Sequence, residues 1–279
     1  MHARYEMILK DCHMHCRFST DSDAAPEAMC EAAIKKGLTD ICFTDHQDLG
    51  FKDPTWFRFD PDAYFEKLKK VQKAYEGRLN VHIGVEIGLI PDNEKIGREA
   101  EALAKDYPWE FIIGSTHQIP VRIGQKVLNI DPADPAEAKR SWYHFGSTKE
   151  LMDVYYASVL KNLEQFDFYD TVGHIDYMSR YVPGDLLPYR YEDHEEQIDR
   201  ILKKAIEKDI AVEVNTGGLY KGNHHTNPED RIIRRYIAFG GRKLTYGADA
   251  HSPKYVGFGF ETLPDYEKMI KDAACAANS

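Results

Sequence analysis

Ligand-type residues recur at the C-terminal ends of strand-length apolar runs, and this placement constrains the fold of the 279-residue chain more than any other feature. Seven such runs are read: Met7 to Leu9, Ile41 to Thr44, Val81 to Val85, Phe111 to Ser115, Thr171 to Gly173, Ala211 to Val214 and Leu244 to Ala248. Asp11-Cys12-His13-Met14-His15 follows the first run and Thr44-Asp45-His46 closes the second. The third ends in Gly84-Val85-Glu86, and the fourth, fifth and seventh give Gly114-Ser115-Thr116-His117, Gly173-His174-Ile175-Asp176 and Gly247-Ala248-Asp249-Ala250-His251. A lone histidine is more often a core or surface residue than a ligand, but a set at successive strand ends is not a series of accidents.

Between the runs lie segments with helical periodicity and ordinary punctuation. Pro26 to Lys36 ends at Gly37, and a second helix starts at Pro61 behind the capping candidate Asp60 and ends at Gly77. A third, about Glu192 to Lys208, puts Ile198, Ile201, Leu202, Ala205 and Ile206 on one face, and a fourth, Asp230 to Phe239, stops at Gly240-Gly241. Strands alternating with helices imply parallel pairing, and seven units imply a closed or nearly closed α/β barrel in one domain, residues 1–279. The segments from Gln118 to Thr148 and from Tyr177 to Arg190, rich in proline, read as loops over the mouth.

A net charge of -10 with scattered Lys and Arg argues against nucleic-acid partners. The apolar runs are far shorter than the ~20 residues a membrane span needs, and the expected setting is cytoplasmic. Five cysteines, Cys12, Cys16, Cys30, Cys42 and Cys275, form no CxxC pair and read as reduced thiols.

The C-terminal ends of parallel barrel strands converge on one mouth, so the residues above share a pocket. His13 and His15, two apart on an extended chain, face the same side, and Asp249 and His251 repeat the spacing. Crowded histidines and carboxylates repel or stay desolvated unless cations join them, which points to two or three divalent ions (Zn, Mn, Fe or Co), with Glu86 bridging two of them. Such a pair would turn a shared water into a nucleophile. His2, His82, His144, His194, His224 and His225 read as surface or structural. Asp176 reads equally as an orienter of a histidine or as a solvated loop residue. Glu213 and Asn215 share a face of the sixth run, so at least one can line the pocket, although packing or capping would also use them. Arg180, Arg190 and Lys221 are candidate cations for a phosphate.

Taken together, His13-Met14-His15, Ser19-Thr20-Asp21, Thr44-Asp45-His46, Glu86, Ser115-Thr116-His117, Gly173-His174-Ile175-Asp176 and Ala248-Asp249-Ala250-His251 resemble the polymerase and histidinol phosphatase (PHP) superfamily over nearly the full chain. Gly-His-Ile-Asp followed by Arg180-Tyr181, then Glu213-Val214-Asn215-Thr216, is similar to its histidinol-phosphate phosphatase branch. The resemblance implies a distorted TIM-like (β/α)7 barrel with three metal sites. The first would use His13, His15, Glu86 and Asp249, the second Glu86, His117 and His174, the third Asp21, His46 and His251. Many relatives carry His where Asp21 stands, and Asp23 competes for that place. Arg180 would meet the substrate phosphate, with Arg190, Asn215 and Lys221 as further contacts, although Tyr220-Lys221 stands where the branch pattern has arginine. The implied reaction is hydrolysis of L-histidinol phosphate in histidine biosynthesis, with Asp21 or His46 protonating the leaving alkoxide. Rival readings are another small phosphate ester, such as a nucleotide, or a non-catalytic metal-binding module.

Overall fold

The computed structural model describes residues 8–51, 53, 55–131 and 134–277. His2 and Met7, the start of the first apolar run, lie outside them. Strands β1 (Lys10–Met14), β2 (Asp40–Phe43), β3 (His46–Asp48), β4 (Asn80–Gly88), β5 (Phe111–Ser115), β6 (Ile119–Ile123), β7 (Lys126–Ile130), β8 (Thr171–Val172), β9 (Ala211–Asn215) and β10 (Leu244–Gly247) alternate with helices. These are α1 (Pro26–Lys36), α2 (Pro61–Tyr75), α3 (Glu94–Asp106), α4 (Pro135–Phe145), α5 (Thr148–Gln165), α6 (Glu195–Glu207), α7 (Asp230–Ala238) and α8 (Tyr266–Ala277). The main sheet runs β1-β2-β4-β5-β8-β9-β10, every neighbouring pair parallel, with β3 continuing beside β4. Its two ends nearly meet: Asp249 N donates to His13 O at 2.8 Å and His15 N to Ala250 O at 2.9 Å, which brings β1 beside the segment after β10.

Local chemistry explains the helix ends. Pro26 opens α1, and Gly37, at φ 80°, returns its N–H to Ala33 and Ile34. Asp60 caps α2 by accepting from Asp62 N. The buried faces of α6 (Ile198, Ile201, Leu202, Ala205) and α7 (Ile232, Ile233, Tyr236, Ile237) pack against the sheet in a core shared with α5. Among the described residues no helix is long and apolar enough to cross a membrane.

Three expectations need correction. The first strand is Lys10–Met14, past the apolar run, because Asp11 and His13 find polar partners inside and need not stay at the strand's end. The third is longer than Val81 to Val85, so Glu86 sits within a strand flanked by β3 and β5. The segment from Gln118 to Thr148 is not a loop: β6 and β7 form an antiparallel ribbon turned at Gly124-Gln125, with Gly124 at φ 61°, and α4 follows. Pro120 is tolerated there because a two-stranded ribbon has free edges. The segment from Tyr177 to Arg190 is irregular, apart from a 3-10 turn at Tyr177–Tyr181.

Candidate metal centre

Glu86, fully buried on β4, is the point at which the strand ends meet. Its carboxylate lies 3.3 Å from His13 Nε2, 3.6 Å from His15 Nε2, 3.0 Å from His46 Nδ1, 3.2 Å from His117 Nε2 and 3.0 Å from His174 Nε2. Ser115 Oγ donates to Glu86 Oε1 at 2.6 Å. An irregularity in β1 between Asp11 and Met14 turns His13 toward this point, and its Nε2 stands 3.0 Å from His15 Nε2. Beyond them the rings of His46 and His251 stack on His15, each at 4.2 Å. Asp21 Oδ2 lies 2.9 Å from His251 Nε2 and 3.8 Å from His46 Nε2, whereas Asp23 does not line the cavity. Asp249, held at φ 53°, places Oδ1 3.7 Å from His15 Nε2.

Supporting side chains aim these rings. Glu213 Oε1 takes His13 Nδ1 at 2.6 Å and its Oε2 accepts from His174 N at 2.7 Å. Asp48 Oδ1 takes His117 Nδ1 at 2.9 Å, and Ser19 Oγ meets His15 Nδ1 at 3.1 Å while donating to Asp45 Oδ1 at 2.8 Å. With each Nδ1 engaged in this way, the Nε2 atoms face inward, where neutral rings would offer their lone pairs to a cation. Two glycines make room: a Cβ on Gly247 would stand 2.3 Å from His13 Cβ, and one on Gly88 1.7 Å from Asp48 Oδ1.

Burial and close opposite charges displace the titration of nearly every group in this cluster. Despite the cost of burial, His13, His117 and His46 hold the Glu86 carboxyl well below its ordinary range, and Lys221, His13 and Arg180 do the same for Asp249. Burial would lower His13, but Glu213 and Glu86 hold it well above the usual histidine range. Burial and the neighbouring imidazoles push its partner His15 well below that range. Asp21 falls to about 2: desolvation opposes the shift, and His46 and His251 outweigh it. His46 rises to about 9, burial again opposing, through Glu86 and Asp21.

The residues fit divalent ions on two observations. His13 Nε2 and His15 Nε2 stand 3.0 Å apart, both beside Glu86 Oε2 at 3.3 and 3.6 Å, a buried convergence of nitrogen and carboxylate donors of the kind that holds a divalent ion. His46 Nδ1 and Glu86 Oε2 are 3.0 Å apart, yet these buried atoms and His174 Nδ1 have no hydrogen-bond partner. Four groups have ligand atoms within 4.8 Å of one another: His13, His15 and Asp249; His13, Glu86 and His174; His46, Glu86 and His117; His15, His46 and His251.

The remaining candidates fall into two sets. Lys221 lines the cavity together with Asp21, Asp48 and the aromatic side chains of Phe51, Phe57, Tyr177 and Tyr181. Arg180 is buried behind it, and Asn215 lies deeper still, its Oδ1 accepting from Arg180 Nη2 at 2.9 Å and Gly217 N at 2.8 Å. Arg190 is exposed and does not line the cavity, because its neighbour Tyr191 is the side chain that turns into the core there. Asp176 is neither a histidine orienter nor solvated: fully buried, it accepts from Asn227 Nδ2 at 2.6 Å and Glu229 N at 3.1 Å. Sequence reasoning missed Asp48 as a support, although its spacing of two from His46 is the signal that marked His13 and His15.

Comparison with known proteins places the chain in a family. The profile of the PHP domain matches residues 11–217. The chain is 31% identical over 252 residues to a probable histidinol-phosphatase of Clostridium acetobutylicum, covering 90% of this chain and 89% of that one. It is 27% identical to the histidinol-phosphatase of Lactococcus lactis, covering 88% and 84%. The crystal structure of histidinol phosphate phosphatase from Lactococcus lactis, complexed with zinc, L-histidinol and phosphate, superposes with a TM-score of 0.77 at 26% identity, covering 95% of this chain and 93% of that one.

Proposed function

The chain belongs to the PHP domain family, and from that membership we propose that it is a divalent-metal-dependent phosphatase that hydrolyses L-histidinol phosphate to L-histidinol and inorganic phosphate. The observation that carries the reading is the buried meeting of five imidazoles on one carboxylate, with donor atoms left unpartnered. The names of the relatives, matched along most of their length, supply the substrate.

In this reading His13, His15, Glu86 and Asp249 would hold one ion, Glu86 with His117 and His174 a second, and His46 and His251 with Asp21 a third. Zinc, manganese, iron and cobalt all suit the donor set. Bound there, such ions supply Lewis acidity that neutralises phosphate oxygens and acidifies water near neutral pH. The chain does the rest. Glu213, Asp48 and Ser19 fix the ring tautomers, so the site is organised before substrate arrives. Asp21, 40% exposed, and His46 stand at the open end of the cluster, where a leaving alcohol departs, and we assign the proton it takes up to a water that one of them would orient. Phe51, Phe57, Tyr177 and Tyr181 wall the cavity and give the imidazole of the leaving alcohol aromatic surface to lie against. A small-molecule substrate and a set of free cysteines fit a cytoplasmic enzyme.

The test is phosphate release by the purified, metal-supplemented protein from histidinol phosphate, nucleotides and other small esters. The reading expects kcat/KM for histidinol phosphate to exceed every other ester by at least about tenfold, roughly one good polar contact. A nucleotide that outperforms it would replace the substrate, and no hydrolysis of any ester would end the reading.

A further inference from the structure

We infer that Tyr220 is a positioning residue for the metal centre: its hydroxyl holds the backbone turn at Asp249 and, through the carbonyl of Asp249, aims the ring of His251. The role rests on the metal-dependent reading above and deepens it. Asp249 follows β10 at φ 53°, a left-handed conformation that a residue with a side chain keeps only where its surroundings fix it. One side of the turn is fixed by β1: Asp249 N donates to His13 O at 2.8 Å, and Ala250 O accepts from His15 N at 2.9 Å. The other side is fixed by Tyr220, whose hydroxyl donates to the paired carbonyls of Ala248 at 3.0 Å and Asp249 at 2.7 Å.

Asp249 O has a second partner, His251 Nδ1 at 2.9 Å. A carbonyl only accepts, so Nδ1 carries a hydrogen and the neutral ring has its lone pair at Nε2. That nitrogen is buried without a hydrogen bond and stands 2.9 Å from Asp21 Oδ2, the other donor that the reading above gives to the third ion. If Asp249 O shifts, the aspartate carboxylate and the His251 ring shift with it, so one hydroxyl serves two ligands assigned to different ions. Tyr220 is built to hold still. Its ring stacks on Tyr255 at 3.9 Å, 5° from parallel, and meets Phe258 edge-on at 5.3 Å. Its backbone N donates to Gly217 O at 3.2 Å, and Thr216 Oγ1 donates to Phe258 O at 2.6 Å, which ties the segment after β9 to the segment after β10.

The experiment compares the full-length parent with two variants. Tyr220→Phe keeps the stacked ring and loses the hydroxyl. Tyr236→Phe, the control, removes a buried hydroxyl that donates to Lys243 O at 3.0 Å, away from the metal ligands. Each protein is stripped of metal and reloaded, and zinc affinity is read by competition with a chromogenic chelator, with zinc content by elemental analysis. Tyr220→Phe is expected to bind zinc at least about tenfold more weakly, the lower end of what a group that orients a ligand contributes, and to recover the parent's zinc content when zinc is in excess. Tyr236→Phe is expected to keep the parent's affinity. Tyr220→Phe binding zinc as tightly as the parent, or Tyr236→Phe losing as much, overturns the role. A parent protein that binds zinc but cleaves no phosphate ester sinks the phosphatase reading alone, because the zinc comparison at Tyr220 stays readable.

Discussion

A histidine's lone pair is aimed at a metal when its other ring nitrogen is engaged, and three side chains engage that nitrogen here: Glu213 on His13, Asp48 on His117 and Ser19 on His15. Glu213 acts on two histidines, holding His13 Nδ1 at 2.6 Å and the backbone N of His174 at 2.7 Å. Glu213→Gln keeps the shape and loses the charge, so metal affinity, measured by competition with a chromogenic chelator, is expected to fall about 10- to 100-fold, the usual effect of such partners. An affinity equal to the parent's would show that Glu213 only packs. Asp48→Ala is expected to fall in the same range through His117, with the fold intact by circular dichroism. At this scale the residues that converge in the cluster were legible, because His13, His15, Glu86, His117, His174, Asp249 and His251 are marked by residue type and strand position. Their supports were less so. Asp48 and Asp176 are ordinary acidic residues in sequence, and only the packing of distant segments shows that one orients His117 and the other holds Asn227.

Among the elements, α1, α2, α6 and α7 were readable because a cap or a glycine stop coincided with an apolar stripe, two independent signals at one boundary. The β6–β7 ribbon was hidden by its prolines, and β1 by its polar residues, which pay no penalty where partners wait inside. The stripe of α6 makes a stability prediction: Ile201→Ala, at a fully buried position, is expected to cost about 2–5 kcal/mol in urea unfolding. A loss under about 1 kcal/mol would mean that the helix is not packed as described. His194, buried just before α6, bonds Asp153 Oδ1 at 3.0 Å. Burial lowers its affinity for a proton, outweighing Asp153. The unfolded chain takes up that proton near pH 6.5 and the folded chain only below it, so the contribution to stability is present above about pH 6.5 and lost as pH falls from there through the lower folded value. In metal-free protein, His194→Gln is expected to flatten the decline of Tm between about pH 7.5 and 5.5. An unchanged slope would contradict this.

For the whole molecule, barrel closure and the metal centre are one event. Asp11 accepts from Ala248 N at 2.9 Å and Gly257 N at 2.9 Å, drawing the ends of the sheet together at the place where His13 and His15 meet Asp249. The barrel and its mouth were foreseeable from strand-helix alternation. Which imidazoles share which oxygen was not, because that depends on register shifts and close approaches such as those at Gly247 and Gly88. Since ligands come from across the barrel, removing the ions with chelator is expected to abolish hydrolysis and to lower stability by about 3 kcal/mol when free metal had stood at 100 times Kd, with both restored by zinc. The most direct test is elemental analysis of protein purified without chelator and saturated with zinc, beside its Glu86→Ala variant. The account predicts two to three equivalents in the parent and a clear loss in the variant; a saturated parent holding less than one equivalent would contradict it.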